Sequence, residues 1–266
     1  MTLKMSVLVD NHKAVGADNN LITRPGFSLL LRSGTDSVLF DTGPDDTFLH
    51  NAKLMGISLD SLSAVVLSHG HYDHCGGVKW LLDNTKIICH PNINSKRYAA
   101  LDFMGHIKKV KSLSVNNDYS RFAMQYTRVP FQISEKLIWS GEIKVDNPVA
   151  YGYLEKEESV PDYIDDEGAL IYLSSKGLVI ITGCGHRGII NIVRHCQNIT
   201  GVRHIHALVG GFHLRRASVM KLLEIRRFLK IINPDFIMGC HCTGHWGRLW
   251  LPECSHPATG SEIVIS

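Results

Sequence analysis

Hydrophobic and polar positions alternate with strand periodicity through the first forty residues. Lys4 to Val9, Phe27 to Arg32 and Ser37 to Asp41 are runs rich in β-branched, aliphatic or aromatic residues, and Ser33-Gly34-Thr35-Asp36 between the last two has turn composition. The pattern predicts a hairpin that delivers the chain to Asp41. Thr47 to Met55 changes period: Phe48, Leu49, Ala52 and Met55 recur at helical spacing, and Gly56 follows as a C-cap. Ala64 to Ser68 is a short continuous apolar run of buried-strand type that ends at His69. Val78 to Leu82 is expected to start a helix, and Lys86 to His90 to form another strand.

From Pro91 to about Gly168 the periodicity weakens, and charged stretches such as Glu155 to Glu158 and Asp162 to Glu167 separate short strand-like pieces. Residues 91–168 are therefore expected to form a peripheral insertion or lid on a single domain spanning 1–266. Alternation resumes with strands at Leu178 to Thr182, His206 to Val209, Asp235 to Met238 and Glu262 to Ile265. Helices are expected between them at Gly188 to Cys196 and Ser218 to Ile231. Strands alternating with helices of this length predict an α/β fold.

A chain of 266 residues is long enough to bury a full core without disulfides. Its hydrophobic content of 44% and charged content of 20% exclude a disordered or fibrous protein. The net charge of +3 is too small to suggest nucleic acid as a partner, since phosphate-backbone binding needs basic residues gathered on one face. Met1 to Asp10 lacks the long apolar stretch of a signal peptide, and no apolar run approaches the roughly 20 residues of a membrane span. Neither secretion nor membrane insertion is expected. Seven cysteines, several beside histidine-rich motifs, suit a reducing cytoplasm better than a disulfide scaffold. Nothing in the pattern decides the oligomeric state.

Fifteen histidines raise the expectation of a metal site, because imidazole is the commonest protein ligand for zinc and iron. Three of them and a carboxylate fall within Ser68-His69-Gly70-His71-Tyr72-Asp73-His74-Cys75-Gly76-Gly77, directly after an apolar strand. In an extended loop His69 and His71 project to one side and can share an ion, while Asp73 and His74 turn toward a second position. His90, His195, His204, His206 and His245 have no such neighbours and are expected to be structural.

The His69-x-His71-x-Asp73-His74 run resembles the signature loop of the metallo-β-lactamase superfamily. Leu39-Phe40-Asp41-Thr42-Gly43 resembles that family's first motif, which implies that Asp41 orients a ligand loop from behind the metal. Gly239-Cys240-His241-Cys242-Thr243-Gly244 stands where the family places its last histidine ligand. The resemblance implies an αββα four-layer sandwich, and one or two divalent ions per chain held by His69, His71, Asp73, His74, His186 and His241. Zinc is the expected metal, with iron and manganese as alternatives.

The family's bridging aspartate falls in Val179-Ile180-Ile181-Thr182-Gly183-Cys184-Gly185-His186, where this chain offers Cys184. Either His186 or Cys184 is expected as the mid-chain ligand, and the departure leaves the number of ions open. Thr182 to Gly188, Gly210-Gly211-Phe212-His213-Leu214 and His241 to Gly244 resemble a narrower branch, the 7,8-dihydropterin-6-methyl-4-(β-D-ribofuranosyl)aminobenzene 5′-phosphate synthases. That likeness implies a phosphate-bearing or pterin-related substrate.

Arg187 and Gly188 open a helix beside the metal loop, which suits an anion; Arg187 equally suits a pairing with a surface carboxylate. His213, on a loop after a strand, is expected to hydrogen-bond substrate or protonate a leaving group, and Asp73 to hold both ion and water. The reading favoured is a metal-dependent hydrolase of an anionic small molecule. Two others stand beside it: a synthase acting on a dihydropterin or phosphoribosyl precursor, and a non-catalytic metal-dependent binding or redox-sensing protein.

Overall fold

The computed structural model describes residues 2–103 and 106–266, without the side chains of 102–106. Met1, at the head of the alternating N-terminal stretch, and the Met104-Gly105 pair inside the 91–168 segment lie outside the described residues.

Two seven-stranded sheets form the frame. The first runs, in spatial order, Glu262–Ile265, Leu3–Val9, Ser28–Ser33, Asp36–Phe40, Ala64–Val66, Lys86–Cys89 and Ala123–Tyr126. The second runs Cys254–Ser255, Phe236–Gly239, Ile205–Gly210, Gly177–Thr182, Leu170–Ser174, Leu137–Trp139 and Phe131–Gln132. The period-two alternation explains how they stack. Leu29, Leu31, Val38 and Phe40 of the first sheet meet Leu170, Tyr172, Val179, Ile181, Ala207 and Val209 of the second in one shared core. Tyr172 also bonds Ser33 across that core, at 2.9 Å.

The intervening residues face outward and are covered by helices. On the second sheet Leu178, Ile180 and Leu208 pack against α3 (Ile189–Thr200) and α4 (Val219–Ile232), through Ile192, Val193, Leu222 and Ile225. On the first sheet Leu30, Leu39 and Val65 pack against Phe48 and Ala52 of α1 (Thr47–Leu54). Helix, sheet, sheet and helix therefore make the expected αββα sandwich. Ser218 caps α4 by accepting the Lys221 amide, and Asn233 at φ 45° ends it in a left-handed turn.

One expectation needs correction. Val78 to Leu82 does not start an α-helix; Gly76–Trp80 is a short 3₁₀ turn and Leu81 is already extended. Gly76 and Gly77 lie so close to the Pro44 and Thr42 backbones that a Cβ on either would collide, and this contact sets the path. Parts of the 91–168 segment join the two main sheets. Ala123–Tyr126 extends the first sheet, and Leu137–Trp139 and Phe131–Gln132 extend the second. The remainder forms a separate four-stranded sheet ordered Val160–Pro161, Tyr153–Leu154, Arg97–Phe103, His106–Ser112.

Candidate metal centre

The C-terminal ends of the parallel strands open on one edge of the sandwich, which is where such folds collect their reactive groups. Phe40 leads to Asp41, Val66 to His69, Thr182 to Cys184 and His186, Gly210 to His213, and Gly239 to His241. After His69 the chain turns at once. The His71 carbonyl accepts the amides of His74 and Cys75 at the start of the short helix α2 (Tyr72–Cys75), and this single turn holds Asp73 against the same cavity as His71 and buries His74 behind it.

The imidazoles pack in a continuous cluster, edge to face except for the tilted His69–His74 pair. Ring centroids of His69, His71 and His186 are 4.6–5.0 Å apart, His69 and His74 are 4.3 Å apart, and His74 and His241 are 5.1 Å apart. Donor atoms gather in two main sets, His69 with His71 and His186, and Asp73 with His74 and His241, each within 4.8 Å. Cys184 joins a third set with His69 and His74 and a fourth with His186 and His213. Both residues weighed for the mid-chain position thus reach the cluster.

Partners behind the rings leave the inner nitrogens free. The carboxylate of Asp41 accepts the Ser68 amide and hydroxyl, each at 2.7 Å, and lies 2.6 Å from Nδ1 of His74. Because the Ser68 hydroxyl donates to Asp41, it accepts from Nδ1 of His69 at 2.9 Å. Asn11 holds Nδ1 of His241 at 2.7 Å. Nε2 of His69, Nε2 of His71, both ring nitrogens of His186 and Nδ1 of His213 are buried with no hydrogen-bond partner. Buried polar atoms are almost always paired, so a set of lone-pair nitrogens facing one another fits a cation. The residues present suit the divalent ion that the sequence implied.

Electrostatics agree. Burial, with the neighbouring imidazoles, drives His69 and His186 well below the usual histidine range, and burial takes His71 down to about 3, so all three are neutral bases. Burial opposes ionisation of Asp73, yet the His241 hydrogen bond and nearby imidazoles hold its carboxyl well below the ordinary range. Burial likewise opposes a charge on His241, but Cys242 and Asp73 outweigh it and raise the ring to about 9. For Cys242 burial again works against the charged form, while the Cys184 thiol and His241 pull its pKa well down. Asp41, His213 and His241 adopt left-handed backbone at φ 57°, 49° and 45°, local strain of the kind that functional sites retain.

A cavity of about 850 Å³ opens over the cluster, lined by His71, Asp73, Cys184, His186, His213 and His241 and rimmed by Lys111, Arg215, Arg216 and Lys221. A second cavity of about 710 Å³ shares Tyr151, His186 and Lys221 with it. The histidine-rich cluster, the sandwich and the motif order now coincide, and the family model of the metallo-beta-lactamase superfamily matches residues 21–190.

The chain belongs to the metallo-β-lactamase superfamily.

Within that superfamily it is 30% identical, over 90% of each chain, to an uncharacterized protein of Methanocaldococcus jannaschii. It is 28% identical, over 91% of this chain and 88% of the other, to that organism's 7,8-dihydropterin-6-methyl-4-(β-D-ribofuranosyl)-aminobenzene-5′-phosphate synthase. Among solved structures it resembles Tm1679, a metal-dependent hydrolase of the β-lactamase superfamily, with TM-score 0.82, 28% identity and 99% of each chain covered. A diphosphatase of the PhnP family, at 14% identity and TM-score 0.54 over 100% of this chain and 98% of that one, shares the metallo-β-lactamase sandwich.

Several supporting residues escaped the sequence reading. Glu167 accepts the amides of His186 and Arg187 at 2.9 and 2.7 Å and so fixes the mid-chain metallo-β-lactamase loop. Asp166 accepts the Gly70 amide at 2.8 Å and pairs with buried Arg97, which also pairs with Asp162. Asp10 accepts the His241 amide at 2.6 Å. In the sequence Asp162, Asp166 and Glu167 are only members of a charged stretch, and their burial depends on partners 19 to 96 residues away. The Arg187 guanidinium donates to the carbonyls of Ile143 and Tyr163 and pairs with the exposed carboxylate of Asp165, and Arg187 also lines the 710 Å³ cavity. His90, His195, His204 and His206 have partners outside the cluster.

Proposed function

We propose that this metal-dependent hydrolase acts on a phosphate-bearing anionic small molecule at a two-position metal centre. One position is formed by His69, His71 and His186, and the other by Asp73, His74 and His241, with Cys184 between them. The unpartnered inward nitrogens of His69, His71 and His186 carry this reading. Zinc fits the mixed imidazole and carboxylate donors best, and iron or manganese is the alternative. A divalent ion held there would bring water to a pKa of about 7 and polarise the electrophile.

The chain's own groups do the rest. Asp41 holds the ring of His74, and through Ser68 that of His69, in the orientation a ligand needs. Lys111, Arg215, Arg216 and Lys221 place four cations at the mouth and attract an anion into the cavity. His213 faces the same cavity beside His186, at a centroid distance of 4.3 Å, and is placed to give a proton to the departing oxygen. Tyr151 covers both rings at 4.5 and 4.6 Å and keeps bulk water from them. Tyr151 and Lys111 belong to the 91–168 segment, which in this reading acts as a cover for the cavity of a single domain. Seven free cysteines suit a reducing cytoplasm, and among the described residues no helix is long and apolar enough to cross a membrane.

Metal-reconstituted protein assayed on phosphomonoesters and phosphodiesters tests the proposal. Asp73→Ala should lower kcat/KM by more than about 100-fold, beyond the usual loss from a residue behind a ligand. Undiminished turnover in that variant would refute it. A synthase reading rests on the 28% identity to the M. jannaschii synthase across nearly the whole chain. Incubating metal-loaded protein with a dihydropterin and a phosphoribosyl aminobenzene, and seeking a condensed product by mass spectrometry, separates the two readings.

A further inference from the structure

Beside the imidazoles lie two sulfur atoms that neither position above requires together. Cys184 is 3% exposed, and its Sγ is 3.1 Å from Nε2 of His74. Cys242 lies against the same loop, its Sγ 3.2 Å from the Cys184 carbonyl oxygen, and it lines the 850 Å³ cavity. Sγ of Cys184, Sγ of Cys242 and a ring nitrogen of His241 lie within 4.8 Å of one another. Cys184 also belongs to the sets with His69 and His74 and with His186 and His213, so its sulfur reaches both sides of the centre. The backbone makes room for this approach. A Cβ on Gly211 would lie 2.7 Å from Cys242 Sγ and 2.3 Å from the Gly183 carbonyl oxygen, so only glycine there lets the two loops close together.

We propose that Cys184 and Cys242 are both metal ligands, Cys184 shared between the two positions and Cys242 completing the one that contains His241. This deepens the proposed hydrolase reading and rests on its metal centre. Binding exchanges protons for metal: each cysteine binds as its thiolate, any proton its sulfur carries passes to solvent as the metal–sulfur bond forms, and neither metal nor sulfur changes oxidation state. Thiolates are soft ligands, so the centre selects zinc, cobalt(II) or iron(II) and discriminates against magnesium and manganese, which prefer oxygen. This narrows the choice of metal that the histidines alone leave open.

The test uses native protein stripped of metal and titrated anaerobically with cobalt(II). Thiolate coordination gives an intense near-ultraviolet charge-transfer absorption, while imidazole and carboxylate coordination gives only weak visible bands. The wild type should show both. C184S and C242S should each lose part of the charge-transfer intensity, the double variant should lose all of it, and C254S should lose none. Visible bands without charge transfer in the wild type would overturn the thiolate assignment yet leave the hydrolase centre standing. Absence of both would remove the centre itself. Should the serine variants fail to fold, native protein still decides the case for Cys242. Bound zinc should slow its alkylation by iodoacetamide at least tenfold, as mapped by mass spectrometry, whereas manganese should not; equal alkylation with and without zinc would overturn the assignment.

Discussion

The Asp41 carboxylate lies 2.6 Å from Nδ1 of His74, and neither side chain is exposed to solvent. With the Ser68 amide and hydroxyl on the same carboxylate, one residue at the end of one strand orients two histidines carried by the next. Asp41→Ala should therefore weaken metal binding by about 10- to 100-fold, the range seen when a group behind a ligand is lost. It should also cost about 3–5 kcal/mol of stability, because a buried polar pair is broken from one side. Competitive zinc titration and urea unfolding check both.

Removing metal should destabilise the fold. The buried nitrogens of His69, His71 and His186 have no protein partner to replace an ion. At free metal 100-fold above Kd, the holo form should gain about 2.7 kcal/mol over the chelated form. Thermal unfolding with and without chelator measures this, and coincident melting curves would contradict it.

Arg97 should be intolerant of change although it lies outside the histidine cluster. Its guanidinium pairs with Asp162 at 2.9 Å and Asp166 at 2.7 Å, and Asp166 in turn holds the Gly70 amide between His69 and His71. Arg97→Ala leaves two buried carboxylates uncompensated and should cost about 3–5 kcal/mol. Arg97→Lys should recover only part of that, since an ammonium cannot reproduce the forked contact. Denaturant unfolding of the two variants gives the comparison.

Glu167 predicts a pH effect. Burial pushes its carboxyl from 4.5 up to about 7, against the pull of the Arg187 and His186 amides. The folded chain thus holds this proton more tightly than the unfolded chain. The contribution is full below pH 4.5, declines as pH rises toward 7, and is absent above it. The gap amounts to at most about 3 kcal/mol, at about 1.36 kcal/mol per pH unit. In metal-free protein, the stability of wild type relative to Glu167→Gln should fall across that window, as urea midpoints at pH 5, 6, 7 and 8 would record.

The strand positions were legible because the two faces of each strand meet different cores. Leu29 and Leu31 face the other sheet while Leu30 faces helix α1, and the alternation records this directly. The crowded 69–74 loop was equally plain, since its donors are neighbours in sequence. What escaped was support contributed from far along the chain. Asp166, Glu167 and Arg97 show only as charges in a linear reading, and their burial depends on partners that no local period encodes. Cys242 lies one residue beyond an expected ligand, but spacing alone could not say that Gly211 leaves it room to approach Cys184. The 3₁₀ turn at Gly76–Trp80 was mistaken for a helix start because its apolar residues suit either, and the close packing against Pro44 decides.

Asp10, at the end of the N-terminal strand, holds the amide of His241, and Asn11 beside it holds that ring. The ribosome emits Asp10 231 positions before His241. The 69–74 loop is therefore translated long before His241, whose ring packs against that of His74. A growing polypeptide can make these contacts only once position 241 has left the ribosome.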